Sequence, residues 1–128
     1  MAEMSNYLEN ALINGTLRAT NYTAPTTVYV GLYTTDPTDA NTGTEVSGGS
    51  YARVAATFAA PSDGVTTNSA AVEFPQCTAD WGTVGWIGIL DALTSGNLLY
   101  HSPLDVSKTI SSGDVLRIST GALSVTLA

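Results

Sequence analysis

His101 is the only histidine in the chain and Cys77 the only cysteine. Acyl transfer through a Cys–His or Ser–His–Asp constellation needs nucleophile and base in hydrogen-bond contact. Cys77 stands among Pro75, Gln76 and Thr78, none of which is a base, and no serine occupies a nucleophile-elbow motif. The ordinary reading is therefore a structural histidine at a strand end and a buried, inert thiol, which often behaves as a small hydrophobe. One cysteine alone also excludes an internal disulfide.

Oxygen ligands are more plentiful. Asp36, Asp39, Asn41 and Glu45 fall in one glycine-containing loop, and calcium takes such ligands. The ligand alternation of an EF-hand is missing, so the expectation is that Asp36 and Asp39 bond their own backbone and shape the turn. Asp80 and Asp91 flank the Trp81–Leu90 segment and would sit about 35 Å apart on a straight strand, too far for a glycosidase pair. Trp81 and Trp86, with Tyr29, Tyr33, Tyr51 and Tyr100, could build a sugar platform. Core and interface anchoring is the commoner use of such rings. These residue types lead to no expected catalytic residue, no cofactor and no metal ligand.

The elements that would position these groups are strands. In Trp81-Gly-Thr-Val-Gly-Trp-Ile-Gly-Ile-Leu90, alternation sends Val84, Trp86 and Leu90 one way and Ile87 and Ile89 the other. Antiparallel strands commonly show one face to water. This one has two apolar faces, so its second side needs cover from the N-terminal segment, a loop or another subunit. Residues 4–14 predict the only helix, with Ser5 as N-cap, Leu8, Ala11 and Leu12 on one face, and Gly15 ending it. From Thr26 the period is two: Val28, Val30 and Leu32 face one way, Thr27, Tyr29 and Tyr33 the other. Tyr51–Phe58 repeats the pattern, with Arg53 and Thr57 outward. Leu98–His101 returns from a hairpin at 91–97, and Leu104 and Val106 continue past Pro103.

In all, about eight short strands are expected at spacings of roughly eight to fifteen residues. The predicted fold is all-β: one domain over residues 1–128, a jelly-roll-like β-sandwich from 22 onward, and an N-terminal helix or arm in 1–15. The expected core is Val28, Val30, Leu32, Val54, Phe58, Val72, Phe74, Val84, Trp86, Leu90, Leu123, Val125 and Leu127.

Composition narrows the function classes. At 44% hydrophobic and 12% charged, the chain is too apolar and too weakly charged for disorder. A net charge of −7, with Arg18, Arg53, Lys108 and Arg117 scattered, argues against direct contact with nucleic acid or an anionic membrane surface. No apolar run approaches the length of about eighteen residues that reads as a membrane span. The N-terminus lacks the basic and apolar regions of a secretory signal, so synthesis in a cytoplasm is expected.

Several segments carry a resemblance. Tyr7-Leu-Glu-Asn10, Tyr22-Thr-Ala-Pro25, Val28–Asp39, Glu45–Arg53, Asp80-Trp-Gly-Thr-Val84 and Gly96-Asn-Leu-Leu-Tyr100 together resemble a family of small tailed-bacteriophage virion proteins, often labelled tail-fibre or structural. The resemblance spans nearly the whole chain and implies a virion structural role made in the host cytoplasm. It supplies no catalytic residues.

Two functions follow from it. One is a capsid decoration (cement) protein on the outer capsid surface, a homo-oligomer and by expectation a trimer, bridging major capsid subunits. The other is a tail or fibre component, an adaptor or receptor-binding tip contacting tail proteins or the host surface. Decoration is preferred here, because 128 residues leave no room for an elongated shaft. A lysin ranks third, for want of a reactive constellation. The contacts to the virion are expected in the N-terminal segment, at Met4, Tyr7, Leu8 and Leu12, and in the loop 36–49, at Asp36, Asp39 and Glu45.

Overall fold

The computed structural model describes residues 2–127. Along the chain lie β1 (Glu3–Met4), α1 (Asn6–Leu17), β2 (Val28–Tyr33), β3 (Val54–Ala56), β4 (Val65–Thr67), β5 (Val72–Glu73), β6 (Gly82–Leu90), β7 (Leu98–Ile110), β8 (Arg117–Ile118) and β9 (Ser124–Thr126). The five-stranded antiparallel sheet runs β1-β7-β6-β2-β3, and beside it lie two two-stranded ladders, β4-β9 and β5-β8. The class is all-β with one helix. Its strand order differs from the paired four-stranded sheets of a jelly roll. No helix among the described residues is long and apolar enough to cross a membrane.

Directly opposed residues of an antiparallel pair share a face. Val30 opposes Ile89 and Leu32 opposes Ile87. These four join Val72, Phe74, Leu116, Leu123 and Val125 in one buried cluster, so the two short ladders and their flanks cover this face of the sheet. Val28, Val54 and Phe58 pack on the cluster's margin. Strands form here because β-branched and aromatic side chains fill a pleated, half-buried surface well.

On the opposite face, Tyr29 opposes Leu90, Gly31 opposes Gly88, and Tyr33 opposes Trp86. Tyr33, Leu90 and Leu98 are buried there, all three leaning over Gly88. A methyl on Gly88 would stand 2.8 Å from Leu98 Cδ1 and 2.9 Å from Tyr33 Cε1, so glycine lets these side chains lie on the backbone. The two-faced character read from the sequence is therefore real. The chain supplies its own cover, from the Tyr33 and Leu98 side chains, the loop after β2 and the start of α1.

A register shift between Val84 and Trp86 changes which residues share a face. Val84 opposes Lys108 and Trp86 opposes Pro103, so Leu104–Ser107 are accommodated opposite Gly85. Such bulges interrupt the alternation of a strand. Val84 consequently joins Ile87 and Ile89 in the main cluster, whereas Trp86 is only half-buried, on the other side. The expected grouping of Val84 with Trp86 is corrected accordingly. Leu90 is fully buried but outside the main cluster, and Leu127, expected inside, is 40% exposed. Trp81 is the buried tryptophan, and its indole N–H donates to the Gly49 carbonyl at 2.9 Å.

Ser5 caps α1 as expected, accepting from the Leu8 N–H at 3.2 Å and donating its own hydroxyl to the Leu98 carbonyl. The helix boundaries differ from the expected 4–14. Met4 belongs to β1, opposite Tyr100, and the Ser5 N–H continues onto the Leu99 carbonyl at 2.9 Å. Gly15 lies within the helix, which runs to Leu17. It ends where Ala19 adopts φ 53° and the Thr20 N–H turns back to the Asn14 carbonyl. Leu8 is the helix's buried anchor, while Tyr7, Ile13 and Leu17 are exposed.

Candidate functional site

Across the second face of the sheet, the opposed pairs form one row: Glu3 faces His101, His101 faces Gly88, and Gly88 faces Gly31. The two central positions carry no side chain. The functional groups stand at either end of this gap.

At one end, His101 is buried, its side chain 7% exposed, and its Nε2 lies 2.7 Å from an oxygen of Asp39. Asp39 comes from the loop after β2, whose placement is fixed by the Asn6 N–H donating to the Asp39 carbonyl at 2.9 Å. Glu3 reaches the same spot from β1. One ligand-capable atom from each of Glu3, Asp39 and His101 lies within 4.8 Å of the others. The strand register brings Glu3 to His101, and the loop brings Asp39 across 62 positions of sequence.

At the other end, the Glu45 carboxylate lies over Gly31, where a Cβ would come within 2.9 Å of its Oε2. Arg53 meets both carboxylate oxygens, Nε to Oε2 and Nη2 to Oε1, each at 2.8 Å. Its Nη1 donates to the carbonyls of Ala92 and Ser95 at 2.9 and 2.7 Å. Tyr51 donates its hydroxyl proton to Glu45 Oε2 at 2.6 Å and accepts from the Leu32 N–H at 2.9 Å. Its ring stacks on Phe74 and meets Trp81 edge-on. The Glu45 hydrogen bond raises the Arg53 pKa further above its usual range. Burial first, then that carboxylate, raises the Tyr51 pKa. Burial, reinforced by the Glu45 charge, pushes Tyr33 up to about 12. Arg53, expected to point outward, is instead the pin joining three loop segments.

The loop oxygens considered for calcium are divided among separate partners. Asp36 accepts from the Thr38 N–H at 2.9 Å, as the turn-shaping reading expects. Asp39 goes to His101, Asn41 accepts from the Tyr33 hydroxyl at 3.1 Å, and Glu45 holds Arg53. Asp80 accepts from the Ser112 N–H, tying the segment before β6 to the turn after β7, and Asp91 accepts from Asn97, shaping its own loop. Cys77 is buried, with its thiol directed at the Ala79 carbonyl. The aromatic residues do not share an exposed platform: Trp81 is buried with Tyr51 packed edge-on against it, and Tyr33 is buried on the opposite face of the sheet.

Of the expected contact residues, Tyr7, Asp36 and Asp39 are exposed, and Tyr7 and Asp39 line one shallow groove with Asn41 and Asn97. Met4 and Leu12 are half-buried, Leu8 is buried at 3%, and Glu45 is engaged by Arg53. Reading the residues alone missed Glu3 and the convergence on His101. Only the pairing of β1 with β7 reveals it, and a two-residue strand leaves no periodic signal.

A search of curated proteins finds no significant match. The family model described as podophage GP4 fiber I protein gp80 matches residues 3–126. That span takes in β1, the whole sheet and both ladders. The chain therefore belongs to the family of the podophage GP4 fiber I protein gp80, a family of phage fibre structural proteins.

Proposed function

We propose that this protein is a non-enzymatic component of a phage tail fibre, an adaptor or tip that contacts neighbouring tail proteins or the host surface. The family match over residues 3–126 carries this reading. It reverses the preference for capsid decoration, which rested on the chain being too short for a shaft. A fibre assembled from several chains needs no shaft in each of them.

The contact surface in this reading lies where the start of α1 meets the first part of the 36–49 loop. Tyr7, Asp36 and Asp39 are accessible there, and Ile13 and Leu17, one turn apart, are exposed further along the helix. Exposed aliphatic residues on a helix that is anchored chiefly through Leu8 favour association, and we assign the protein a homo-oligomeric state, a trimer. Imaging of particles carrying a labelled copy tests the location. Label confined to the tail, at a handful to dozens of copies, supports the fibre assignment. Label over the head at hundreds of copies returns the protein to the capsid. Clearing of cell walls by the purified protein would remove the non-enzymatic part.

A further inference from the structure

We propose that Glu3, Asp39 and His101 form a binding site for a divalent first-row transition ion of the zinc type. The donor set is one imidazole nitrogen and two carboxylate oxygens, a combination that zinc accepts and that calcium, which prefers oxygen alone, does not favour. The three atoms already lie within 4.8 Å of one another. Tetrahedral coordination with bonds of about 2.0–2.2 Å separates neighbouring ligand atoms by roughly 3.3–3.5 Å. Reaching it requires a small opening of the 2.7 Å His101–Asp39 contact and a modest inward movement of Glu3.

The site combines a fixed ligand with adjustable ones. His101 is held by burial near the start of β7, with Nε2 directed at the Asp39 carboxylate. The Asp39 side chain is 47% exposed and Glu3 is exposed, so an ion has a route in and water can complete the coordination. Electrostatics favours a dication. With neutral imidazole the group carries two negative charges, and no Lys or Arg among the described residues forms an ion pair with Glu3 or Asp39. Arg53, the ion-paired guanidinium, is committed to Glu45. The bound ion would clasp the N-terminal strand, the 34–45 loop and β7 together, whatever the protein's place in the virion.

The test uses the untagged full chain, stripped with a chelator and titrated with zinc chloride. The expected result is one ion per chain by calorimetry. At a hundred-fold excess over Kd, the Tm should rise by about 5–10 °C and fall back on chelation. Glu3→Gln and Asp39→Asn preserve shape and should each weaken binding at least about ten-fold. Asp36→Asn, in the same loop but outside the cluster, should bind as the wild type does. His101→Ala should abolish binding, and if that variant fails to fold the two carboxamide variants still decide. No heat and no Tm shift with zinc would overturn the proposal. So would zinc binding that survives both carboxamide changes, or binding of calcium in preference to zinc.

Discussion

Arg53 and Glu45 meet through two parallel hydrogen bonds of 2.8 Å each, on the edge of β2 that β3 leaves uncovered. Around this fork the chain ties Leu32, Tyr51, Ala92 and Ser95 into one network. The Arg53 side chain is 9% exposed and that of Glu45 24%, so solvent screens the pair only in part. Removing one member of such a pair strands the other, a loss of about 3 kcal/mol. Arg53→Ala should therefore lower unfolding free energy by about that amount in urea titration. Tyr51→Phe should cost about 1–2 kcal/mol, because it leaves the Leu32 N–H without its acceptor. Strict additivity of the two in the double variant would contradict the network, since groups sharing a partner couple.

Two glycines should respond differently to alanine. At Gly88 the added methyl meets the ends of the Leu98 and Tyr33 side chains, which can shift, so Gly88→Ala should fold with a loss of about 1–3 kcal/mol. Gly49 has φ +57°, and a Cβ there would sit 2.3 Å from the Ala79 carbonyl oxygen, which is backbone. Gly49→Ala should be the more damaging of the pair and should shift near-ultraviolet circular dichroism from Trp81. Equal melting temperatures for the two variants would count against this packing.

Asn68 is a small residue with a large structural task. Fully buried, it donates to the carbonyls of Ala70 and Ser119 and accepts from the Leu123 N–H. The side chain thereby connects the β4–β5 segment to the turn between β8 and β9. Asn68→Ala leaves the buried Leu123 N–H without its acceptor, while water can reach the carbonyls of the exposed residues Ala70 and Ser119, and a cost of about 1–3 kcal/mol is expected. A denaturation midpoint within error of the wild type would refute it.

Alkaline pH should unfold the protein in a defined window. Tyr33 and Tyr51 have pKa values raised on folding, Tyr33 to about 12. Between the unfolded value of about 10 and that range, the folded state binds the extra protons, so stability is intact below pH 10 and falls as pH rises toward 12. Phenolate absorbance from these tyrosines should appear together with loss of far-ultraviolet circular dichroism. Smooth titration of all six tyrosines near pH 10 with the sheet intact would show the reverse.

The two faces of α1 should separate folding from attachment. Leu8→Ala removes the buried anchor and should cost about 2–4 kcal/mol. Leu17→Ser, at a position 79% exposed, should leave the melting temperature unchanged within about 1 °C while reducing self-association in sedimentation. Unchanged sedimentation of Leu17→Ser would remove this exposed position from the contact surface.

Local alternation placed β2 and β6 within a residue or two, because side-chain period is set by the backbone itself. Ser5 was legible as a cap for the same reason: its role depends on a neighbour three positions away. What sequence did not disclose depends on distant partners. The shift at Gly85 has no local mark, yet it moves Trp86 out of the core and leaves Val84 in. Arg53 reads as outward by parity and is buried because Glu45 arrives over Gly31. The Glu3–Asp39–His101 group joins three segments that no motif connects, so only the register of β1 on β7 brings it together.

The outer side of β7 beyond His101 has no strand beside it among the described residues. Pro103 offers no N–H there, and Asp105 and Lys108 stand exposed along the same stretch. Copies crowded at high local concentration are thus discouraged from zipping their sheets into a continuous ribbon, which leaves side-chain surfaces, rather than shared backbone ladders, to govern how neighbouring molecules meet.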